Sequence, residues 1–351
     1  MPLLARLFTC PLAVDVRRGA IAGLGELLAD QRISAHGDVA VVLGPGQGDR
    51  FGPIIEDALG SPALHSVNGG TVQSARRLAD ALREGNYDAV VSIGGGRTID
   101  VGKYAASMRG LPMVAVATSL THDGLASPVA SLEHRGHKGS YGVQMPIGVV
   151  VDLDYVRECP PRHLRSGVGD ALSNLNAVAD WELAGRERGE RVDGVAAALA
   201  RSAGEAILNQ SAEISSERFL TTLAEALVLG GLAMAAAGTS RPCSGACHEI
   251  AHAVDALYAG KGTHGEQVAV GALFACWLRE DPLVEALDAC LRRHSLPRLP
   301  GDLGLDEDQF AAVVQHAPST RPERYTILEH LDMSPSEIRS RAHDYVVAFD
   351  R

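Results

Sequence analysis

The chain has 351 residues and a formal net charge of −11 at pH 7, so it exceeds the usual size of one domain and predicts two cores. The negative charge argues against nucleic acid and anionic membranes as partners, because both bind basic surfaces. With 46% hydrophobic but only 4% aromatic residues, the cores should be aliphatic. Six scattered cysteines without a C-x-x-C pair indicate free thiols in a reducing compartment.

Targeting and membrane signals are not evident in the sequence. The amino terminus has no basic segment followed by a sustained apolar run, so we expect no signal peptide. The longest apolar run, residues 226–238, has about thirteen residues and is too short to cross a bilayer. We therefore expect a cytoplasmic protein without a membrane span, assembled as a homo-oligomer.

Short β-branched runs alternate with amphipathic segments in the first 150 residues, a pattern typical of a parallel sheet covered by helices. The predicted strands are residues 39–43, 64–67, 89–93, 113–117 and 149–152, and the predicted helices are residues 51–59, 72–84 and 99–108. The alternation stops after Asp152, and Pro160-Pro161 marks a boundary. The first domain is therefore predicted as an α/β domain of residues 1–158.

Alanine- and leucine-rich segments fill the rest of the chain and predict a second, all-α domain of residues 159–351. Its predicted helices are residues 171–186, 194–210, 218–237, 248–257, 266–279 and 282–294, followed by a more polar helical tail.

A glycine-rich turn follows the third predicted strand. Gly94, Gly95 and Gly96 precede a helix with Asp100 and Lys103 in its first turns. Three glycines let the backbone approach a pyrophosphate, whose charge then meets the free N–H groups and positive dipole end of the helix. The turn does not have the G-x-G-x-x-G pattern, and a plain tight connection is the alternative. Its position at a carboxyl strand end favours nucleotide binding.

The next predicted strand ends in hydroxyl side chains around one acid, from Thr118 through Ser119, Thr121 and Asp123 to Ser127. The loop follows a parallel strand, so it should lie at the same edge of the sheet as the glycine turn and could line a ligand cleft. The same residue types are also common in loops without a function.

Two histidines four residues apart, His248 and His252, would project from one face of a predicted helix, a spacing typical of metal ligands. With Glu249 they also match the H-E-x-x-H pattern of zinc proteases, in which the glutamate is the general base. The extended protease motif fails, because Asp255 and Tyr258 occupy its glycine and third-histidine positions. Ordinary histidines on a packed helix are the remaining alternative.

Five ordered blocks resemble the iron-type alcohol dehydrogenase and dehydroquinate synthase superfamily, and within it the sn-glycerol-1-phosphate dehydrogenases, over nearly the whole chain. The blocks are residues 92–103, 122–128, 169–174, 240–245 and 264–268. The resemblance implies an N-terminal dinucleotide-binding domain, a helical C-terminal domain, and an active site in the cleft between them. It also implies a divalent metal, usually zinc in this branch.

The resemblance also implies residue roles. The metal ligands would be Asp170, His248 and His264, while His252 would face the substrate or nicotinamide and Glu249 would have no catalytic task. The catalytic residues would be His252, Asp123 and Asp170, and the same three with Arg241 would contact substrate, Arg241 at its phosphate. The cofactor-binding residues would be Gly94, Gly95, Gly96, Thr98, Ile99, Asp100, Thr118, Ser119, Thr121 and Ser127.

Three positions qualify the resemblance. Cys247 stands where the family usually has an acid, and Thr121 where it usually has a serine. Cys247 leaves the ligand set intact but changes a group beside it, so a different phosphorylated or phosphonate substrate is an open alternative. Asn174 stands where iron-dependent relatives have a further histidine ligand, which favours zinc with three protein ligands and open positions for substrate oxygens.

The function that the resemblance implies is reversible reduction of dihydroxyacetone phosphate, or a close analogue, to sn-glycerol 1-phosphate by NAD(P)H. Residues 44–48, after the first predicted strand, contain no acid for a ribose 2′-hydroxyl, so NADP should not be excluded. The alternatives are a polyol or glycerol dehydrogenase, a sugar-phosphate cyclase that would release phosphate, a zinc protease that would need no nucleotide, and a non-catalytic nucleotide-binding protein that would lack the metal ligands.

Overall fold

The structure, a computed structural model, describes residues 9–350 and divides into two compact units. Unit 1 contains the described residues through Pro160 together with Ser215–Ala236, and unit 2 contains Pro161–Ile214 and the described residues from Ala237 onward. Residues 1–8, where a signal peptide would begin, lie outside the described residues.

Eight strands occur in the described part of the chain. They are β1 (Ala13–Arg17), β2 (Val39–Leu43), β3 (Ala63–Ser66), β4 (Ala89–Gly94), β5 (Met113–Ala117), β6 (Val129–His134), β7 (His137–Gly142) and β8 (Gly148–Asp152). Six form a parallel sheet in the order β1-β8-β5-β4-β2-β3, which confirms the predicted parallel sheet, and β6 and β7 form an antiparallel pair.

Fourteen α-helices occur in the same range. They are α1 (Leu24–Leu28), α2 (Gly48–Leu59), α3 (Val72–Glu84), α4 (Gly96–Arg109), α5 (Leu153–Arg157), α6 (Pro161–Arg188), α7 (Gly194–Leu208), α8 (Glu217–Ala237), α9 (Ala246–Leu257), α10 (His264–Leu278), α11 (Val284–Arg293), α12 (Glu307–His316), α13 (Ile327–Leu331) and α14 (Pro335–Phe349). Helix α6 begins ten residues before the predicted helix 171–186, because Pro161 occupies its first position, where a proline needs no N–H partner.

The four central strands of the sheet explain why the first unit could be read from the sequence. Every residue of β2, β4, β5 and β8 is buried, so the strands appear as continuous apolar runs, as expected where both faces of a parallel sheet are covered. The edge strands β1 and β3 are only partly buried. Strand β1 was not predicted, because its Ala-Val-Asp-Val-Arg sequence mixes apolar and charged residues.

Helix α8 corrects the predicted division of the chain at residues 158 and 159. The sequence placed this helix in the second domain, but it packs with unit 1. A Cβ added to Gly231 would lie 2.6 Å from the carbonyl carbon of Ala126, so the helix lies directly on the loop that follows β5. Among the described helices, α8 is the one long and apolar enough to cross a membrane, and 67% of its apolar window is buried in the protein, as in a core helix.

A buried carboxylate joins four elements of unit 2. Asp180 in α6 is fully buried and accepts hydrogen bonds from the backbone N–H of Ala246 at 2.8 Å and of Ile327 at 3.0 Å. These amides begin α9 and α13. The guanidinium of Arg279, the residue after α10, also donates to Asp180 at 2.5 Å. The positions of three helix ends therefore depend on one side chain.

Substitution of Asp180 tests this dependence. Asp180→Asn keeps the shape but removes the carboxylate 2.5 Å from the largely buried Arg279 and leaves it only Asp281 at 4.0 Å, so we expect the free energy of unfolding to fall by about 3–5 kcal/mol. Urea unfolding followed by tryptophan fluorescence would measure it, since both tryptophans, Trp181 and Trp277, lie in unit 2.

The matched control is Glu182→Gln on the same helix. Glu182 pairs with Arg201 at the surface, with the two side chains 41% and 43% exposed, so its loss should change stability by less than about 1 kcal/mol. Equal small effects of the two substitutions would show that Asp180 does not organise unit 2.

Candidate functional site

One carboxylate and two imidazoles meet within unit 2. Asp170 lies in α6, His248 lies in α9 and His264 begins α10, and their ligand atoms lie within 4.8 Å of one another. Nε2 of His264 is 3.7 Å from Oδ1 of Asp170, and the ring centroids of His248 and His264 are 5.1 Å apart. The structure thus brings together the three residues that the resemblance assigned as metal ligands; they are called the ligand trio below.

Two glycines let the helices that carry the ligand trio approach closely. Gly169 precedes Asp170 and Gly265 follows His264. A Cβ on Gly265 would lie 1.8 Å from the carbonyl oxygen of Ser166, and a Cβ on Gly169 would lie 2.1 Å from the carbonyl oxygen of Gly265. Because these neighbours are backbone atoms, a side chain at either position would push α6 and α10 apart.

The protonation state of His248 suits a metal. Burial lowers the pKa of His248 well below its ordinary value, and the neighbouring His264, His252, Arg324 and Arg321 lower it further. Neutral imidazole is the form that binds metals. One carboxylate oxygen and two imidazole nitrogens are a donor set that fits a divalent transition metal.

Cys247 precedes His248 in α9, at the position where the resemblance implies an acid. Its Sγ lies 3.4 Å from Nδ1 of His248. Burial raises the pKa of the Cys247 thiol to about 12, so the group beside His248 is a neutral thiol and not a thiolate. The departure therefore removes a negative charge from the surroundings of the ligand trio.

His252 lies one turn after His248 in α9. Its ring centroid is 6.4 Å from that of His248 and 6.3 Å from that of His264. The guanidinium Nη2 of Arg321 lies 3.3 Å from its Nε2. Burial, and then the charge of Arg321, lower the pKa of His252 to about 3, so the imidazole is neutral. With Arg321 donating to Nε2, the ring proton is on Nδ1.

Glu249 is not placed as the base of a zinc protease. Its carboxyl group is fully buried, and its Oε2 lies 3.1 Å from the Thr326 hydroxyl. Burial, and then the charge of Glu329, raise the pKa of Glu249 to about 9. A carboxyl group that is protonated at neutral pH cannot accept a proton from a metal-bound water. The H-E-x-x-H match therefore reflects a packed helix that carries one residue of the trio.

The glycine turn of unit 1 lies among polar side-chain atoms. Residues 94–96 end β4 and begin α4, whose amino terminus has no side-chain cap. A Cβ at these three positions, in chain order, would lie 2.9, 2.9 and 2.2 Å from Thr98 Oγ1, Ser119 Oγ and His122 Nε2. Only glycine therefore fits at these positions, and the first N–H groups of α4 have no side-chain cap, which fits a pyrophosphate at the start of the helix.

The loop after β5 lies beside this turn, as predicted from the sequence. Gly94 pairs with Ala117 across the adjacent strands β4 and β5, and the N–H of Thr118 donates to the carbonyl of Gly94 at 3.0 Å. Thr121 and Asp123 are partly exposed on this loop, and Asp123 begins a short 3-10 helix.

His122 is a candidate functional residue beside the glycine turn that was not predicted from the sequence. Its Nδ1 accepts the backbone N–H of Gly124 at 2.9 Å, so the proton of the neutral ring is on Nε2, the atom that faces Gly96. Burial, and then the charge of Lys103, lower the pKa of His122 to about 4. Its position in the hydroxyl-rich loop after β5 was the available signal.

Lys103 ties α4 to the same loop. Its fully buried Nζ lies 3.2 Å from Oδ1 of Asp100 and 3.2 Å from the carbonyl oxygen of Ser127, and it also donates to the carbonyls of Gly124 and Val129. Asp100 and Ser127, both assigned to the cofactor, therefore also belong to a clamp that shapes the loop. Ile99 is buried in the core, so only its backbone could meet a cofactor.

Arg241 is engaged elsewhere in unit 2. Its side chain is 6% exposed, and its guanidinium pairs with Glu190 at 2.8 Å and donates to the carbonyl of Tyr325 at 3.0 Å. The ion pair with Glu190, whose side chain is 34% exposed, already offsets the charge that a phosphate would need.

The chain is similar to known dehydrogenases in sequence and in fold. Residues 15–160 match the family model for iron-containing alcohol dehydrogenase. The chain is 32% identical to a glycerol-1-phosphate dehydrogenase (NAD(P)+) of Staphylothermus marinus, over 91% of the chain and 92% of the relative. It is 38% identical to one of Thermofilum pendens, over 92% and 94%. The crystal structure of a probable glycerol dehydrogenase from Sinorhizobium meliloti has a TM-score of 0.79 at 22% identity, covers 99% of both chains, and shows the likeness of fold.

The glycine contact between α6 and α10 can be tested. Gly265→Ala must displace backbone, so we expect a loss of about 1–3 kcal/mol in the free energy of unfolding and weaker Zn²⁺ binding, because His264 is the adjacent residue. Urea unfolding and zinc competition with a chromophoric chelator would measure both.

Gly194→Ala is the control for that substitution. Gly194 begins α7, and an added Cβ there meets no heavy atom within 4 Å. This variant should keep zinc affinity and change stability by less than about 1 kcal/mol. If Gly265→Ala behaved like Gly194→Ala, the close helix approach would not be needed for the ligand trio.

Proposed function

We propose that this protein, which belongs to the glycerol-1-phosphate dehydrogenase family of the iron-containing alcohol dehydrogenases, reduces dihydroxyacetone phosphate to sn-glycerol 1-phosphate with NAD(P)H, reversibly. The enzyme class, an NAD(P)-dependent alcohol dehydrogenase, follows from the family. The observation that carries the proposal is the meeting of Asp170, His248 and His264 in a chain 32% and 38% identical to relatives of that name.

The ligand trio would hold a divalent metal, and we propose zinc. Asn174 supports this choice, since it is buried one turn after Asp170 where iron-dependent relatives have a histidine. A metal bound there supplies a Lewis acid for the carbonyl oxygen of the ketone and lowers the pKa of the alcohol in the reverse direction.

The glycine turn would hold the cofactor pyrophosphate. The uncapped start of α4 and the hydroxyls of Thr98 and Ser119 beside the three glycines support this assignment. We propose that both NADH and NADPH bind, because residues 44–48 after β2 contain no acid that would repel a 2′-phosphate. The bound cofactor supplies the hydride.

His252 and Asp123 are proposed to contact the substrate hydroxyls. The neutral His252 ring offers its Nδ1–H as a hydrogen-bond donor to a substrate oxygen, because its Nε2 accepts from Arg321. A cytoplasmic location is supported by six cysteines that are all free thiols. A homo-oligomeric assembly stays a prediction.

The assay for the function uses purified, zinc-loaded protein. We expect oxidation of NADH and of NADPH with dihydroxyacetone phosphate, and kcat/KM about 10²-fold lower with unphosphorylated dihydroxyacetone, since contacts to the charged phosphate are lost. Cofactor absorbance would measure turnover. Phosphate release without net cofactor oxidation would instead identify a cyclase, and equal kcat/KM for both ketones would identify a polyol dehydrogenase.

Two substitutions in α9 separate a metal ligand from a substrate contact. His248→Ala and Asp170→Asn should lower bound metal, whereas His252→Ala should keep it and lower turnover by about 10²–10³-fold, the loss expected for one hydrogen-bond donor to a reacting oxygen. Elemental analysis beside reductase kinetics would measure both effects. Metal loss in His252→Ala as complete as in His248→Ala would mean that both histidines are ligands.

A further inference from the structure

A guanidinium lies next to the ligand trio in unit 2. Arg321 follows the short 3-10 helix Ala317–Thr320, and its Nη2 is 3.3 Å from Nε2 of His252. The His252 ring in turn lies 6.4 Å and 6.3 Å, centroid to centroid, from the rings of His248 and His264. The charge of Arg321 is therefore one imidazole ring away from the proposed metal ligands.

The backbone that carries Arg321 is anchored on both sides. The hydroxyl of Thr320 lies 3.5 Å from the carbonyl oxygen of Glu249 in α9. On the other side, the N–H of Arg324 donates to the carbonyl of Arg321 at 2.9 Å, and its guanidinium donates to the carbonyl of Ser244 just before α9. Arg321 is thus held in a turn whose ends are fastened along the helix of His248.

Two guanidinium groups lie beside α9. That of Arg321 contacts His252 at 3.3 Å, and that of Arg324 donates to the carbonyl of Ser244 just before the helix. Among the nearby acids, Asp255 accepts a hydrogen bond from Gln267 at 2.9 Å, and Glu323 lies 3.8 Å from Arg324. The cation that meets the proposed substrate residue is therefore Arg321.

We infer that Arg321 binds the phosphate group of the substrate, with the ketone oxygen directed toward the ligand trio; this inference rests on the proposed function. The planar guanidinium matches phosphate oxygens in pairs. In a three-carbon ketone phosphate the ketone oxygen and the phosphate are close together. The ligand trio and Arg321 are also close together, so the two groups of the substrate could meet them at the same time. Arg321 therefore makes the protein select phosphorylated substrates.

The distance to His252 distinguishes Arg321 from the other arginines of this region. Arg241, the residue assigned to the phosphate from the sequence, contacts Glu190 and the carbonyl of Tyr325. Arg324 is 7% exposed and donates to the hydroxyl of Ser240 at 2.7 Å. Arg321 contacts His252, the proposed substrate residue, at 3.3 Å.

The kinetic experiment compares one ketone with and without its phosphate. Zinc-loaded wild type, Arg321→Gln and Arg321→Lys would be assayed with dihydroxyacetone phosphate and dihydroxyacetone. We expect Arg321→Gln to lower kcat/KM about 10- to 100-fold for the phosphorylated ketone and less than about 3-fold for dihydroxyacetone, with partial recovery in Arg321→Lys. The control is Arg201→Gln, a surface arginine of α7 paired with Glu182, which should retain the wild-type ratio.

A binding experiment separates this inference from the proposed function. Calorimetry with inorganic phosphate, on zinc-loaded protein of verified metal content, should show binding that Arg321→Gln loses and Arg201→Gln keeps. Equal loss of kcat/KM for both ketones with phosphate binding unchanged would overturn the role of Arg321. If wild type reduced neither ketone but bound phosphate through Arg321, the proposed reaction would be wrong and the anion site would stand.

Discussion

The geometry of unit 2 depends on the buried carboxylate of Asp180. Such a group is expensive to bury unless its charge and lone pairs are satisfied, and here Arg279 and the first amides of α9 and α13 satisfy them. Ala246, one of the amides, lies two residues before His248, and Ile327, the other, follows the turn of Arg321 and Arg324. One interaction therefore sets the position of a proposed metal ligand and of the arginine beside it.

A second constraint acts where α6 crosses α10. Asp180 sets where the helix ends lie, but the ligand trio also needs Asp170 and His264 to approach across two backbones. Gly169 and Gly265 permit this, since either Cβ would collide with a carbonyl oxygen. The trio is thus positioned in two ways. Asp180 holds the helix ends near the carboxyl end of α6, and Gly169 and Gly265 allow α6 and α10 to approach nearer its amino end. Neither helix needs a special conformation.

The structural features that depend on local sequence pattern could be predicted from the sequence. Fully buried strands such as β4 and β5 appear as unbroken apolar runs, and the loops after them must share an edge when the strands are parallel. The pair β6 and β7 was missed because residues 133–140 are polar and alternate poorly. Helix α8 was assigned to the other domain because the sequence of an apolar helix does not show which of two cores it packs against.

The site shows the same limit. Its ligands could be proposed because spacing and resemblance name residue types, and a carboxylate with two histidines is distinctive even when dispersed. The arginine proposed to bind the phosphate could not be predicted from the sequence, because the choice depends on contacts between residues far apart in the chain. Glu190 reaches Arg241 across 51 residues, and Arg321 reaches His252 across 69. His122 was missed for a related reason, since only the fold shows that its ring faces Gly96 in the glycine turn.

Charge balance connects these observations. The trio contributes one carboxylate, Cys247 is a neutral thiol where the resemblance implies an acid, and both α9 histidines are kept neutral by burial and by neighbouring cations. Arg321 places a guanidinium one imidazole ring from the trio. A phosphate ester can pair with a guanidinium through two oxygens, whereas glycerol and an uncharged ketone have no charged group to do so. The position of Arg321 therefore fits the phosphorylated substrate that we propose.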